Sequence, residues 1–188
     1  MLSALDAYIK NRFGSRSGLL AAVKYKALYW LGHYRQYQQI DFAGAERLVF
    51  ICSGNICRSP LAEVVARETG FSAESFGLHC RGGDPADPRV LEFAGTLGLD
   101  VEAHRSRNIA EYVGRQGDVL VVMEPAHLTE LGQHINGTRQ VTIATLWGEP
   151  PTPYLHDPFS CNTTFFNRCE HQLALAVKRF IACVDASR

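Results

Sequence analysis

From residue 46 to the C-terminus, short apolar runs alternate with longer stretches in which apolar residues recur every third or fourth position. The short runs predict buried strands, and the periodic stretches predict helices. Strands that alternate with helices are typical of a parallel sheet covered by crossover helices, so we predict an α/β fold. The predicted strands are 48–52, 74–77, 118–123 and 140–144, and the predicted helices are 59–69, 88–97, 109–114, 125–131 and 164–185.

Residues 1–45 follow a different pattern, because they contain no run that predicts a strand. Their apolar residues fall at alternating spacings of three and four, which places them on one face of a helix. We expect that face to be buried. The sequence therefore predicts a helical N-terminal extension, residues 1–45, followed by an α/β domain, residues 46–188. The predicted buried face consists of Leu20, Val23, Ala27, Trp30, Tyr34 and Tyr37.

The charge of the chain is uneven, although its net value is zero. Residues 1–45 contain six Lys or Arg residues and two acidic residues, which leaves the remainder acidic. A neutral chain of this kind does not predict a nucleic-acid partner. The apolar stretch 18–31 is interrupted by Lys24 and Lys26, and no run approaches the roughly 20 apolar residues of a membrane-spanning helix.

The chain contains six cysteines but no pattern of a secretory signal, so we expect reduced thiols in a cytoplasmic protein. Cys52 and Cys57 are not followed by a second pair at zinc-like spacing, and we therefore predict no metal site. The cysteines are Cys52, Cys57, Cys80, Cys161, Cys169 and Cys183.

The segment 52–60, CSGNICRSP, lies between a predicted strand and a predicted helix. A loop in this position directs backbone N–H groups inward and places a helix N-terminus beneath them, which suits a phosphate group. Arg58 can return across the loop and present paired N–H donors to phosphate oxygens. Gly54 and Asn55 suit positive backbone angles.

Cys52 is the predicted nucleophile of this loop. A helix N-terminus and a guanidinium favour the thiolate form of a nearby cysteine, and the hydroxyl of Ser59 could donate to its sulfur. Taken alone, Cys52 would be a buried core thiol and Ser59 a helix cap. Their position together in a strand-to-helix loop favours the interpretation of Cys52 as a nucleophile with Ser59 as its hydrogen-bond donor.

Asp157, in the loop before the last helix, is the predicted general acid, which would protonate a leaving oxygen and then activate water.

These segments together resemble the low-molecular-weight protein tyrosine phosphatases over about residues 46–185. The resemblance is carried by FICSGNICRSPLAE at 50–63, DPADPR at 84–89, HRSR at 104–107, the strand 118–123 and Asp157-Pro158. It implies a flavodoxin-like sheet of four parallel strands with helices on both faces, no cofactor, and a phosphocysteine intermediate. It also implies a phosphotyrosine protein as substrate, a bacterial tyrosine kinase being one candidate.

The resemblance assigns roles to matching positions. Cys52 is the nucleophile, Arg58 the phosphate ligand and Asp157 the general acid. In relatives the second cysteine of the loop can form a reversible disulfide with the nucleophile, and Cys57 matches it; packing behind the loop is an equally good interpretation. Substrate-contacting side chains in relatives correspond to Leu78, His79 and Phe159. The rest of the loop and its support is Ser53, Gly54, Asn55, Ile56, Cys57 and Ser59.

Three other activities are compatible with the loop. Arsenate reductases of this fold need two further cysteines near the third strand, and this chain has none between Cys80 and Cys161. Arginine phosphatases have a Thr where this chain has Ile56, whose apolar side chain favours an aromatic ring. A non-catalytic phosphotyrosine-binding module would need neither the nucleophile nor Asp157.

The N-terminal extension has no counterpart in the minimal family, so the resemblance does not explain it. We weigh three roles for it: an intramolecular cap on the catalytic domain, a helix that forms a homodimer or binds a partner, and a peripheral membrane helix.

Overall fold

The computed structural model describes residues 2–135 and 139–187. Four parallel strands form one sheet in the order β2-β1-β3-β4. Helices cover it, so the predicted α/β fold is confirmed. The strands are β1 (Arg47–Cys52), β2 (Ala73–Gly77), β3 (Asp118–Val122) and β4 (Gln140–Ile143).

The helices follow the predicted order with small differences at their ends. The predicted short helix at 109–114 is a 3₁₀ turn over Ile109–Glu111, and two further 3₁₀ turns lie at Arg35–Gln38 and Ala144–Trp147. The helix after the phosphate loop begins one residue earlier than predicted, so Cys57 occupies its N-cap position and Ser59 lies within its first turn. The helices are α1 (Leu2–Phe13), α2 (Arg16–Trp30), α3 (Arg58–Glu68), α4 (Pro88–Thr96), α5 (Pro125–His134) and α6 (Thr163–Asp185).

The sheet separates two apolar clusters, and successive residues of β1 alternate between them. Leu48 and Phe50 belong to the cluster that includes residues of α3, α4 and α6. Val49 and Ile51 belong to the cluster that includes residues of α5. Every residue of β1 is buried, as expected for a strand covered on both faces.

The N-terminal extension contacts the α/β domain, but with a different face from the predicted one. Leu20, Val23 and Trp30 are 61–72% exposed, and Ala27 is also exposed, whereas only Tyr34 of the predicted set is fully buried. The prediction failed because another side of α2 also carries apolar residues at helical spacing, so periodicity alone does not select the docked side. The side of α2 that docks contains Gly18, Tyr25, Leu28 and Tyr29.

Within the described ranges, the helices include none that is both long and apolar enough to cross a membrane.

Candidate active site

The predicted phosphate loop, residues 52–58, lies at the carboxyl edge of the parallel sheet. Cys52 ends β1 and Arg58 begins α3. In open α/β sheets this edge is where ligands bind, in the crevice beyond the strand ends. The first helical turn of α3 therefore lies directly behind the loop.

Hydrogen-bond donors surround the sulfur of Cys52. Its Sγ lies 3.0 Å from Oγ of Ser59 and accepts the backbone N–H of Asn55 at 3.2 Å. Cys52 itself is 2% exposed. The arrangement brings the predicted nucleophile and the predicted hydroxyl donor into direct contact.

Asn55 holds the loop in a strained backbone conformation, with φ of 53°. Its Nδ2 donates to Oγ of Ser59 and to Oγ of Ser75, each at 2.8 Å. Its Oδ1 accepts the backbone N–H of Arg107 at 2.8 Å, and its carbonyl accepts Nε2–H of His104 at 2.7 Å. Burial lowers the pKa of His104. These contacts fix the loop from both the side chain and the backbone of one residue.

Arg58 is buried beneath the loop and bound to three groups. Its Nη1 donates to the carbonyl of Leu155 at 2.9 Å and to Oε1 of Glu124 at 3.4 Å, and its Nη2 donates to Oδ2 of Asp157 at 2.5 Å. Burial alone would lower its pKa, but Asp157, Cys52 and Glu124 outweigh burial and raise it. Its Nε has no hydrogen-bond partner among the described residues and can donate to an incoming oxyanion.

Asp157 lies within the same cluster, on the loop before α6. Its Oδ1 accepts the backbone N–H of Phe159 at 3.0 Å, and its side chain is 40% exposed. The carboxyl group therefore faces both the guanidinium of Arg58 and solvent.

Sequence reasoning missed two residues that support the loop. His127 is 1% exposed, and its Nε2 lies 3.2 Å from Oγ of Ser53 and 3.2 Å from Oε1 of Glu124. Burial alone would raise the pKa of Glu124, but the hydrogen bond from His127 and the charge of Arg58 lower it. Glu124 follows β3 at the carboxyl edge of the sheet, and that position could have identified it.

A cavity of about 220 Å³ opens above the loop and includes two of the three predicted wall residues, His79 and Phe159. Leu78 is a correction: it does not line this cavity, and it is buried in the apolar cluster that contains Phe76. The cavity is lined by Cys52, Ser53, Gly54, Ile56, Cys57, Arg58, His79, Asp157 and Phe159.

Cys57 lies at the N-cap of α3 with its Sγ 3.8 Å from Oδ2 of Asp87. Burial, with the negative charges of Glu170 and Asp87, raises the pKa of its thiol. All six cysteines lie within the described residues and are free.

A cysteine at the end of the first strand, an arginine at the start of the next helix and a carboxylate beside that arginine form an arrangement on a parallel α/β sheet that suits phosphatase chemistry. Residues 47–188 match the family described as low molecular weight phosphotyrosine protein phosphatase, and the chain belongs to that family.

Comparison with individual proteins agrees with this assignment. The low molecular weight protein-tyrosine-phosphatase Wzb of Escherichia coli K12 is 31% identical over 140 residues, which are 69% of this chain and 94% of Wzb. The crystal structure of Wzb from Escherichia coli K30 with sulphate superposes with a TM-score of 0.65 at 25% identity, covering 74% of this chain and 98% of Wzb. The fold is also similar to the YwlE arginine phosphatase of Geobacillus stearothermophilus, with a TM-score of 0.60 at 17% identity, over 75% of this chain and 94% of YwlE.

Proposed function

We propose that this tyrosine phosphatase hydrolyses phosphotyrosine through a phosphocysteine at Cys52. The observation that carries the proposal is the contact of the Cys52 sulfur with Ser59 and Asn55 in a cavity that Arg58 and Asp157 also line. Donors that contact a sulfur stabilise its thiolate, and the thiolate is the nucleophilic form of cysteine.

In the first step the sulfur attacks phosphorus, and the bond between phosphorus and the tyrosyl oxygen breaks. Asp157 gives its proton to the departing phenolate. In the second step water attacks the phosphocysteine, Asp157 takes a proton from that water, and the S–P bond breaks to release phosphate and the thiolate. Atoms and charge balance without a metal or cofactor.

The phosphate would bind to the same guanidinium that Asp157 contacts. Nε of Arg58 has no partner among the described residues, and Nη2, which carries two N–H groups, donates one of them to Asp157. A bound dianion that accepts from Nε and from the second N–H of Nη2 would receive the paired donors that suit phosphate. Asp157 would then lie beside the phosphate, where a general acid is needed.

Phosphotyrosine rather than phosphoarginine is the proposed substrate because the cavity has apolar walls. Ile56 and Phe159 line it, and a phenyl ring packs better against such side chains than a charged guanidinium does. An Ile56→Thr variant assayed on a phosphotyrosine peptide and a phosphoarginine peptide tests this choice. We expect the ratio of the two kcat/KM values to shift toward phosphoarginine; an unchanged ratio would remove Ile56 from substrate selection.

The remaining alternatives fit less well. A phosphotyrosine-binding module needs no proton donor beside its phosphate ligand, yet Oδ2 of Asp157 lies 2.5 Å from Nη2 of Arg58.

An arsenate reductase of this fold would use cysteines near the end of the third strand, where this chain has Met123 and Glu124. Arsenate-dependent oxidation of thiols by the purified protein would restore that alternative.

We further propose that the substrate is a protein, a bacterial tyrosine kinase being one candidate, and that the enzyme acts in the cytoplasm. Six free cysteines suit a reducing compartment. Where Cys57 pairs with Cys52 rather than packing behind the loop, a peroxide would oxidise the Cys52 thiolate to a sulfenic acid, and the Cys57 sulfur would attack it to form the disulfide with loss of water; the raised pKa of Cys57 slows that second step. Trapping phosphoproteins on a Cys52→Ser variant identifies the substrate.

We propose that residues 46–188 form the phosphatase domain and that residues 1–45 are an extension with a second, exposed face. Leu20, Val23 and Trp30 are exposed along α2, beside Lys24 and Lys26. Two copies of this basic face would repel each other, whereas an anionic bilayer complements its charge and accepts its aromatic side chain.

Co-sedimentation of the full chain with vesicles of anionic or zwitterionic lipid tests membrane contact. We expect binding to anionic vesicles that is lost in a Leu20→Ser, Trp30→Ser variant. Concentration-dependent dimers that those substitutions abolish, without vesicle binding, would identify a second copy as the occupant and overturn the membrane proposal.

A further inference from the structure

The turn between α1 and α2 docks against the loop that carries Asp157. Ser15 caps α2, and its Oγ lies 3.3 Å from Nε2 of His156, the residue before Asp157. At the other end of the loop, Nδ2 of Asn162 donates to Oδ1 of Asn11 at 2.9 Å. The helical hairpin formed by α1 and α2 therefore contacts the loop on both sides of the proposed general acid, Asp157.

His156 is held at both ring nitrogens. Its Nδ1 lies 2.6 Å from the hydroxyl of Tyr154, and its ring packs edge-on against Phe165 with centroids 5.8 Å apart. When Tyr154 donates to Nδ1, the neutral ring donates Nε2–H to Ser15, whose oxygen also accepts the backbone N–H of Gly18 at 2.9 Å. Burial lowers the pKa of His156, so the neutral ring that this chain of hydrogen bonds needs prevails at neutral pH.

Two glycines allow the hairpin to approach His156 this closely. A Cβ on Gly14 would lie 2.5 Å from Cδ2 of His156, and a Cβ on Gly18 would lie 3.2 Å from the same atom. Gly14 also has a φ of +78°, which most side chains avoid. A second contact joins the rings of Tyr25 and Tyr154, whose centroids are 5.2 Å apart. The hairpin thus contacts the loop through its two glycines, through the side chain of Ser15 and through the ring of Tyr25.

Residues 148–162, all of them described, form no helix or strand, so contacts with neighbouring segments hold the loop in place. On the side of the catalytic domain, Leu155 is held by the carbonyl of Met123 and by Nη1 of Arg58. The hairpin contacts His156 from another direction. A general acid must lie within hydrogen-bond reach of the leaving oxygen, and a displacement of about 1 Å can cost roughly 100-fold in rate.

We propose that the N-terminal hairpin positions Asp157 for proton transfer through a chain of contacts from Ser15 to His156 and Tyr154. This inference rests on the proposed function and adds to it a role for residues 1–45 in the reaction itself. Ser15, Tyr154 and His156 are positioning residues, since none of them lines the cavity that contains Cys52 and Arg58.

The test compares two substrates in each full-length variant. The value of kcat/KM for an aryl phosphate with a poor leaving group depends on protonation by Asp157, while that for a dinitrophenyl phosphate depends on it much less. The ratio of the two values is independent of the fraction of folded protein. The variants are Ser15→Ala and Tyr154→Phe, and Val23→Ala on the exposed face of α2 is the matched control.

We expect the ratio to fall roughly tenfold in Ser15→Ala and Tyr154→Phe and to stay unchanged in Val23→Ala. In an Asp157→Ala background, the same substitutions should cause no further fall. An unchanged ratio in both variants, or an equal fall in the Asp157→Ala background, would overturn the positioning role while leaving the phosphatase proposal intact. A wild-type chain that hydrolyses neither substrate would overturn both.

Discussion

Nη2 of Arg58 donates to Oδ2 of Asp157 across 2.5 Å, which links the proposed phosphate ligand to the proposed general acid. Neither residue is near the other in sequence; the contact exists because α3 begins, and the last loop passes, at the same edge of the sheet. The two proposed roles, phosphate binding by Arg58 and proton transfer by Asp157, therefore share one guanidinium.

Replacement of Arg58 by Lys should abolish most activity. A lysine retains the charge but supplies no planar pair of donors, so the transition-state oxygens lose preorganised hydrogen bonds. We expect kcat to fall on the order of 100- to 1000-fold in steady-state assays with an aryl phosphate. Thermal unfolding of the variant checks that the fold persists. A Lys variant with nearly normal kcat would show that charge alone suffices.

Replacement of Asp157 by Ala should slow substrates with poor leaving groups far more than those with good ones. Removal of a general acid leaves the departing oxygen unprotonated, which costs roughly 100-fold or more when that oxygen is strongly basic. A plot of log kcat/KM against the pKa of the leaving group measures the effect. Equal slowing of all substrates would remove Asp157 from this role.

Asn55 can be tested with a matched pair of substitutions. Asn55→Ala and Asn55→Gly both remove the side-chain bonds to Ser59, Ser75 and Arg107, but only Ala keeps the strain of a positive φ. We expect similar loss of activity in both and a free energy of unfolding that is higher in the Gly variant by about 1 kcal/mol. Chemical denaturation and aryl phosphate assays measure the two quantities. Full activity in Asn55→Gly would mean that the backbone alone shapes the loop.

Glu170 should make stability depend on pH. Its carboxyl is fully buried in α6, and neither oxygen has a hydrogen-bond partner among the described residues. Burial raises its pKa from 4.5 to about 8, with Asp157 and Asp87 adding to the rise and Arg58 opposing it. Between these values the folded state keeps a proton that the unfolded state loses, so the free energy of unfolding falls as pH rises.

A Glu170→Gln variant carries a neutral group at every pH and should lack this fall. Relative to it, the wild type should lose on the order of 1 kcal/mol per pH unit between about pH 4.5 and 8. Urea denaturation of both proteins across that range gives the difference directly. Parallel stability curves would contradict a protonated Glu170.

The sheet and the phosphate loop could be predicted from the sequence because both depend on local patterns. Short apolar runs predicted the four strands, and the spacing from Cys52 to Arg58 predicted that both side chains lie at one strand-to-helix junction. Leu78 was predicted to line the substrate cavity, but it is buried in the same apolar cluster as Phe76. Alternation along an extended segment would have predicted this, because Leu78 lies two residues beyond Phe76.

The remaining errors concern contacts between distant segments. The contact of His127 with Ser53 and the bond from Asn55 to Ser75 depend on how separate loops meet, which periodicity does not encode. The predicted buried face of α2 contains Leu20, Val23 and Trp30, whereas the fold places Gly18 and Tyr25 against the loop that carries Asp157. Both faces contain apolar residues at helical spacing, so periodicity does not distinguish them. The close approach to His156, which needs a residue as small as Gly18, does distinguish them.

The proposed mechanism requires that Cys52 becomes covalently phosphorylated during turnover. The direct measurement is mass spectrometry of acid-quenched enzyme after mixing with an aryl phosphate, in the wild type and in Cys52→Ser. We predict one phosphoryl group on the wild-type peptide that contains Cys52, and no turnover by the Ser variant. A phosphoryl group on another residue, or wild-type activity in Cys52→Ser, would contradict the account.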